Sequence, residues 1–99
     1  MRLGILWSDK AREGLRESLA FIALDNPGAA SGLLDRVLAA VERVARYPHS
    51  GRRIPEVPKD PARELVVPPL RIFYERDGSD LVVLAVLRSE RDFDPGSLG

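Results

Sequence analysis

The chain has 99 residues, of which 44% are hydrophobic and 30% are charged, and its 15 basic side chains balance its 15 acidic ones. This length predicts one domain with one modest core, and the absence of cysteine excludes a disulfide framework and a thiolate metal site. The net charge of zero excludes the strongly basic character of proteins that coat DNA, and the single histidine, His49, is too little for a histidine metal cluster.

The start of the chain predicts neither export nor membrane insertion. Residues 1–7 hold one arginine and an apolar stretch that is too short for a signal peptide. Elsewhere the sequence shows no apolar run near the roughly 18 residues that a spanning helix needs. We therefore expect a cytoplasmic protein, and the residues suggest neither a metal nor a cofactor.

The first element is predicted to be a short strand. Leu3, Ile5 and Trp7 alternate with other residues at the period of two that is typical of a strand. Ser8 follows as a hydroxyl N-cap, and Asp9 places a negative charge where the helix dipole favours it. A helix is therefore expected to begin directly after the strand.

Two amphipathic helices are predicted next. The first ends near Asp25, because Asn26 and Pro27 form a cap and a first helical position for a second helix. That second helix ends at Tyr47 and Pro48. The very short connection predicts an antiparallel helical hairpin.

The second half of the sequence predicts a loop followed by three strands. Residues 48–61 contain four prolines and predict a surface loop. Strands are predicted over 63–67, 70–75 and 81–87, with a hairpin turn at 77–78. The expected fold is α+β, with the order β-α-α-β-β-β and a helical hairpin packed on a mostly antiparallel sheet.

Four arginines lie on or beside the predicted strands and are candidates for binding a target. Alternation places Arg71 on the strand face opposite Leu70, and therefore on the open face of the sheet if the helices cover Leu70. Arg88 and Arg91 could join Arg71 there, and Arg63 lies on the preceding strand. Such a basic patch suits phosphate or carboxylate groups.

The charge pattern leaves a simpler interpretation open for the same arginines. They could pair on a solvated face with nearby acidic residues, namely Glu64, Glu75, Glu90 and Asp92. In the proline-rich loop, Arg52 and Arg53 follow Gly51 and are a second possible anion contact, or simply the solvated flanks of a turn. No catalytic residue can be assigned from the residues alone.

Six segments, in this order and spacing, resemble the RelE/ParE toxin superfamily, with the best match to the ParE-like plasmid-stabilisation branch. The resemblance covers the chain from Leu3 to about Phe93. It implies a single toxin domain over residues 1–99, in which 94–99 are expected to be a frayed tail. The segments are Trp7-Ser8, Asn26-Pro27-Gly28-Ala29-Ala30, Pro48-His49-Ser50-Gly51-Arg52-Arg53-Ile54-Pro55-Glu56, Arg63-Glu64-Leu65, Leu70-Arg71-Ile72-Phe73-Tyr74 and Val86-Leu87-Arg88-Ser89-Glu90-Arg91.

The resemblance implies the toxin half of a type II toxin–antitoxin pair, which arrests growth until an antitoxin neutralises it. RelE-type members cleave mRNA on the ribosome without a metal, using a basic cluster and often a tyrosine or histidine near the C-terminus. This chain keeps Arg71 of that set but has Ala62 and Glu64 at the positions of lysines and no tyrosine after Tyr74. Ser89 stands at the position of an arginine, for which the nearby Arg88 and Arg91 could substitute. Losing the general acid or base reduces such a reaction on the order of 10²–10⁴-fold.

The ParE-like branch, whose members poison DNA gyrase by binding, fits this chain better, although Arg88 stands where that branch often has a histidine. We therefore expect a gyrase poison that is not an enzyme. The alternatives are a RelE-like ribosome-dependent endoribonuclease and a non-toxic module that only binds an antitoxin.

A groove between the helices and the sheet is expected to take an amphipathic segment of the antitoxin, whether ParD-like or of another type. The helices carry more apolar positions than one small sheet face needs. The residues predicted to bind the antitoxin are Leu15, Leu19, Ile22, Leu33, Val37 and Val41.

Overall fold

The computed structural model describes residues 2–98 and has two helices packed on one face of a five-stranded sheet. The predicted α+β class and element order are confirmed. A further strand of two residues lies inside the segment that was predicted as loop. The elements are β1 (Gly4–Trp7), α1 (Asp9–Ala23), α2 (Pro27–Arg46), β2 (Arg52–Arg53), β3 (Arg63–Val67), β4 (Leu70–Asp77) and β5 (Asp80–Arg88), followed by a 3-10 helix at Pro95–Leu98.

The helix starts are fixed by the two capping residues that the sequence predicts. Ser8 Oγ accepts the N–H of Ala11 at 2.9 Å and donates to the carbonyl of Leu84 at 2.9 Å, which ties the start of α1 to β5. Asn26 Oδ1 accepts the N–H of Ala29 at 3.1 Å at the start of α2. The two caps therefore set both the hairpin connection and its position on the sheet.

The sheet has the strand order β1-β5-β4-β3-β2. β1 runs parallel to β5, and the other neighbours are antiparallel. A bulge interrupts the β4–β5 pairing, because Phe73 pairs with Ala85 whereas the next residue, Tyr74, pairs with Val83. Leu84 is the extra residue. The residues of β5 that follow it therefore point to the opposite sheet face from the one that strict alternation would give them.

The main core lies between the helices and the sheet. Leu33, Val37 and Val41 of α2 are buried there against Ile72 and Tyr74 of β4. A second, smaller core lies on the other face, where the loop after β2 and the end of the chain pack onto the sheet; its members are Ile54, Val57, Ala62, Phe73, Leu84, Ala85, Leu87, Phe93 and Leu98. The sheet is therefore covered on both faces.

The end of the chain was predicted to be a frayed tail over 94–99. In the structure Pro95–Leu98 form the 3-10 helix, and Leu98 packs against the second core, while Gly99 lies outside the described residues. Among residues 2–98, neither helix is long and apolar enough to cross a membrane.

Candidate functional site

Arg71 lies on the sheet face opposite the helices, as the alternation predicts, but that face is not open. Its guanidinium makes a two-bond contact with Glu56, with Nη1 at 2.9 Å and Nη2 at 2.8 Å from the two carboxylate oxygens. Its Nε donates to Glu64. The carboxylate of Glu56, and next that of Glu64, raise the pKa of Arg71 above its usual range. The charge of Arg71 is therefore balanced within the protein.

Glu64 joins Arg71 to a second arginine. The side chain of Glu64 is 0% exposed. The carboxylate oxygen that does not bind Arg71 accepts a hydrogen bond from Nε of Arg52 at 3.0 Å. The pairing of Arg52 with Glu64 across β2 and β3 places the two side chains on one face. We call Arg52, Glu56, Glu64 and Arg71 the sheet-face network.

Two aromatic rings flank the guanidinium of Arg71. Its Cζ lies 5.1 Å from the ring centroid of Phe73 and 5.6 Å from that of Phe93, and both distances suit a cation–π contact. The two rings lie 5.2 Å apart and are tilted by 58°. The arginine side chain is 12% exposed, so the segment that carries Phe93 helps to keep Arg71 from solvent.

Arg88 does not join Arg71, which corrects the expectation that the strand arginines share one face. Arg88 pairs with Leu70, whose side chain belongs to the helix-side core. Its Cζ lies 3.8 Å from the ring centroid of Phe21 in α1, and its Nε forms an ion pair with Glu90 at 2.9 Å. The bulge at Leu84 explains the difference, since it shifts the end of β5 by one face.

Arg91 is exposed just past β5. With Arg88 it borders a cavity of about 100 Å³ between α1 and β5, which Gly14, Glu17 and Ser18 also line. The approach of α1 to β5 is close there, because a Cβ on Gly14 would lie 2.5 Å from the carbonyl oxygen of Val86. These two arginines thus form a site of their own.

Arg53 and Arg63 form a third location. They pair directly across β2 and β3, on the face opposite the Arg52–Glu64 contact. Arg63 Nη1 donates to the carbonyl of Gly51 at 2.9 Å. The six arginines predicted to bind the target therefore fall into three separate groups and do not form one patch.

The simpler interpretation of the arginines holds for some of them. The predicted acidic partners Glu64 and Glu90 do pair with arginines, whereas the ion pairs found within residues 2–98 do not include Glu75 or Asp92. Glu56, a partner that the sequence did not reveal, lies in the proline-rich loop.

Tyr74 anchors the turn that leads into β2, which the sequence also did not reveal. Its buried hydroxyl accepts the N–H of Gly51 at 2.9 Å and donates to the carbonyl of Pro48 at 2.9 Å. Burial raises the pKa of Tyr74 above its usual value of 10.0. His49, between these two contacts, is exposed.

The residues predicted to contact an antitoxin divide into accessible and inaccessible sets. Leu33, Val37 and Val41 are between 0% and 2% exposed in the main core, so a partner does not reach them in this fold. Leu15, Leu19 and Ile22 are partly buried at the surface of that core.

Leu15 and Leu19 line an apolar groove of about 400 Å³ together with Trp7 and Leu38. Leu38 is 49% exposed. Arg12 and Arg16 border the groove and pair with Asp9 and Glu13, respectively. We call this depression the helix groove.

The chain matches a toxin family over most of its length. The family described as "ParE toxin of type II toxin-antitoxin system, parDE" matches residues 5–93. A protein of Sinorhizobium fredii named "Putative toxin Y4kP" is 34% identical over 95 residues, which cover 93% of this chain and 94% of the relative.

Two solved structures have a similar fold. The chromosomal ParDE toxin–antitoxin system from P. aeruginosa contains a chain that matches with a TM-score of 0.71 and 17% identity, over 88% of this chain and 96% of that one. The toxin–antitoxin complex RelBE2 from Mycobacterium tuberculosis contains one that matches with a TM-score of 0.61 and 15% identity, over 89% and 99%. With the family match over residues 5–93, these findings show that the chain belongs to the ParE toxin family of type II toxin–antitoxin systems.

Proposed function

We propose that this toxin poisons DNA gyrase by binding and leaves mRNA uncut. The observation that carries the proposal is the state of Arg71, the one residue retained from the ribonuclease pattern. Its guanidinium is bound by Glu56 and Glu64 and is shielded by Phe93. An arginine that is neutralised in this way offers little stabilisation to the extra negative charge of a phosphate under attack.

The groups that could move a proton are equally unsuited to cleavage. Glu64 is buried and both of its carboxylate oxygens are held by arginines, and Glu90 is paired with Arg88 on the other side of the sheet. His49 is exposed in the loop before β2. A cleaving toxin needs a positioned acid or base close to its cations, whereas a toxin that acts by binding needs only a complementary surface.

We further propose that an antitoxin neutralises the toxin through the helix groove. Two structures of similar fold are a ParDE system and a RelBE2 complex, so each comes from a toxin–antitoxin pair. The groove combines an apolar floor at Leu15, Leu19 and Leu38 with the arginines of α1 at its rim. That combination suits an amphipathic helix.

The deciding experiment uses toxin made by cell-free synthesis, alone or premixed with the antitoxin encoded in the adjacent reading frame. When the toxin alone is added to purified gyrase and supercoiled plasmid, linear DNA should appear after the enzyme is denatured. When the toxin is first mixed with the antitoxin, no linear DNA should appear. In parallel, primer extension on translated messages should show uncut mRNA.

Two results would contradict the proposal. Codon-specific cuts within minutes of adding the toxin would establish the RelE-like ribonuclease. Antitoxin binding without DNA breaks or cut messages would indicate a non-toxic binding module.

A further inference from the structure

A group of arginines that form no ion pair with any residue of the described range 2–98 lies where α2 meets the edge of the sheet. Arg53 and Arg63 are directly opposite each other on β2 and β3 and point to the same side. Like charges in such cross-strand pairs destabilise a sheet. Among residues 2–98, the ion pairs of the structure involve neither arginine, so no carboxylate offsets this repulsion.

Arg63 is held in place by the protein itself. Its Nη1 donates to the carbonyl of Gly51 at 2.9 Å, and Gly51 is in turn fixed by the hydroxyl of Tyr74. The guanidinium therefore keeps one orientation, and this is its one hydrogen bond to residues 2–98, so that donors remain for an anion and little side-chain entropy is lost when it binds. Arg53 is exposed beside it.

Arg43 of α2 adds a third cation on the same side. It borders a depression of about 460 Å³ that Ser50 and Leu65 also line. Leu65 is two residues from Arg63 on β3 and shares its face, and Ser50 precedes the carbonyl that binds Arg63. The acidic residue next to Arg43, Glu42, is paired with Arg2.

We propose that Arg43, Arg53 and Arg63, which we call the α2–β3 patch, bind backbone phosphates of duplex DNA. Arginine donors match the paired oxygens of a phosphodiester, and the hydroxyl of Ser50 adds a further donor. Because the net charge of the chain is zero, binding depends on this local arrangement. The choice of duplex DNA rests on the proposed function, since the gyrase complex that a poison traps contains cleaved duplex DNA.

The experiment measures fluorescence anisotropy of a labelled duplex of about 20 base pairs between about 50 and 200 mM salt. Three phosphate contacts predict a slope of log K against log salt of about −3, and the Arg53→Gln/Arg63→Gln variant should reduce it to about −1. Its affinity at the lowest salt should fall by at least about 10-fold. The Lys10→Gln/Lys59→Gln variant, which loses the same charge elsewhere, should bind within about twofold of the original chain.

Two further variants test whether a loss of DNA affinity comes from lost contacts or from misfolding. They are Arg53→Gln alone and Arg53→Lys/Arg63→Lys. The first removes an exposed side chain and should still weaken binding, while the second keeps the charge and should restore most of it. The proposal would be overturned if Lys10→Gln/Lys59→Gln lost as much affinity for the duplex as Arg53→Gln/Arg63→Gln. Tighter binding of single-stranded RNA of the same length would overturn it as well.

The gyrase assay distinguishes failure of this proposal from failure of the proposed function. If the Arg53→Gln/Arg63→Gln variant still traps cleaved DNA at the original toxin concentration, the α2–β3 patch is not used and the gyrase proposal stands. If the chain binds duplex DNA through these arginines but never traps gyrase, the target proposal fails and the patch stands.

Discussion

Tyr74 and Gly51 fit together so closely that no side chain can be added between them. A Cβ on Gly51 would lie 2.2 Å from the hydroxyl oxygen of Tyr74 and 2.7 Å from a ring carbon. Real Cβ atoms do not approach other atoms so closely, so the glycine is required by the tyrosine. The contact fixes the turn before β2, and with it both arginines of that strand.

Gly51→Ala should therefore destabilise the fold by about 1–3 kcal/mol, because either the turn or the buried ring must move. Thermal or urea unfolding checks this. Gly32→Ala is a matched control inside α2, where the new Cβ would lie 3.7 Å from the guanidinium of Arg36, an ordinary van der Waals distance. Helix propensity predicts that this control gains up to about 1 kcal/mol. An unchanged stability of the Gly51 variant would contradict the close packing.

Glu56→Gln should reduce the loss of folding stability that occurs as the pH falls. The guanidinium of Arg71 lowers the pKa of Glu56 below its ordinary value of 4.5 in the folded state. The resulting stabilisation is complete above the pKa of the unfolded chain and is lost as the pH falls through the lower folded value. Unfolding followed from pH 7 to pH 3 should show a smaller drop for the variant. Because Glu56 is 41% exposed, solvent screening keeps the effect small.

Leu38→Glu should abolish antitoxin binding without unfolding the toxin. The side chain is 49% exposed in the helix groove, and a carboxylate there would need desolvation against an apolar partner. Leu6→Glu is the matched control, since Leu6 is 53% exposed on β1 and does not line the groove. Calorimetry with the antitoxin should show lost binding only for the first variant. Equal binding by both would place the antitoxin elsewhere.

Arg88→Gln/Arg91→Gln should relieve growth arrest while antitoxin binding is kept. Arg91 is exposed, so its loss should change stability by no more than about 0.5 kcal/mol. Loss of the Arg88–Phe21 contact should cost about 0.5–2 kcal/mol, which unfolding of the single variants can measure. Undiminished arrest by a folded double variant would move the target surface, first to Arg52 and Arg53.

The sequence predicted the architecture because its strongest signals are local. Ser8 and Asn26 act as caps where expected, and the alternation in β4 correctly separates Ile72 from Arg71. The two-residue β2 could not be predicted, because its pairing depends on a turn held by Tyr74 from a distant strand.

The candidate site was predicted less well, because it depends on features that are not periodic. Strict alternation from Leu81 places Arg88 on the face of Arg71, and only the bulge at Leu84 reverses this. The neutralising Glu56 comes from an irregular loop, and no pattern along the chain shows that this loop folds back over the sheet.

The parallel pairing of β1 with β5 joins two segments that lie far apart along the polypeptide, since Gly4 lies opposite Asp80. During translation, β1 and both helices leave the ribosome well before the strand that pairs with β1 has been made. The sheet can therefore close only after β5 has been made, and a contact over so many residues slows that step. A newly made toxin thus passes through an interval in which its helical hairpin exists without the finished sheet beneath it.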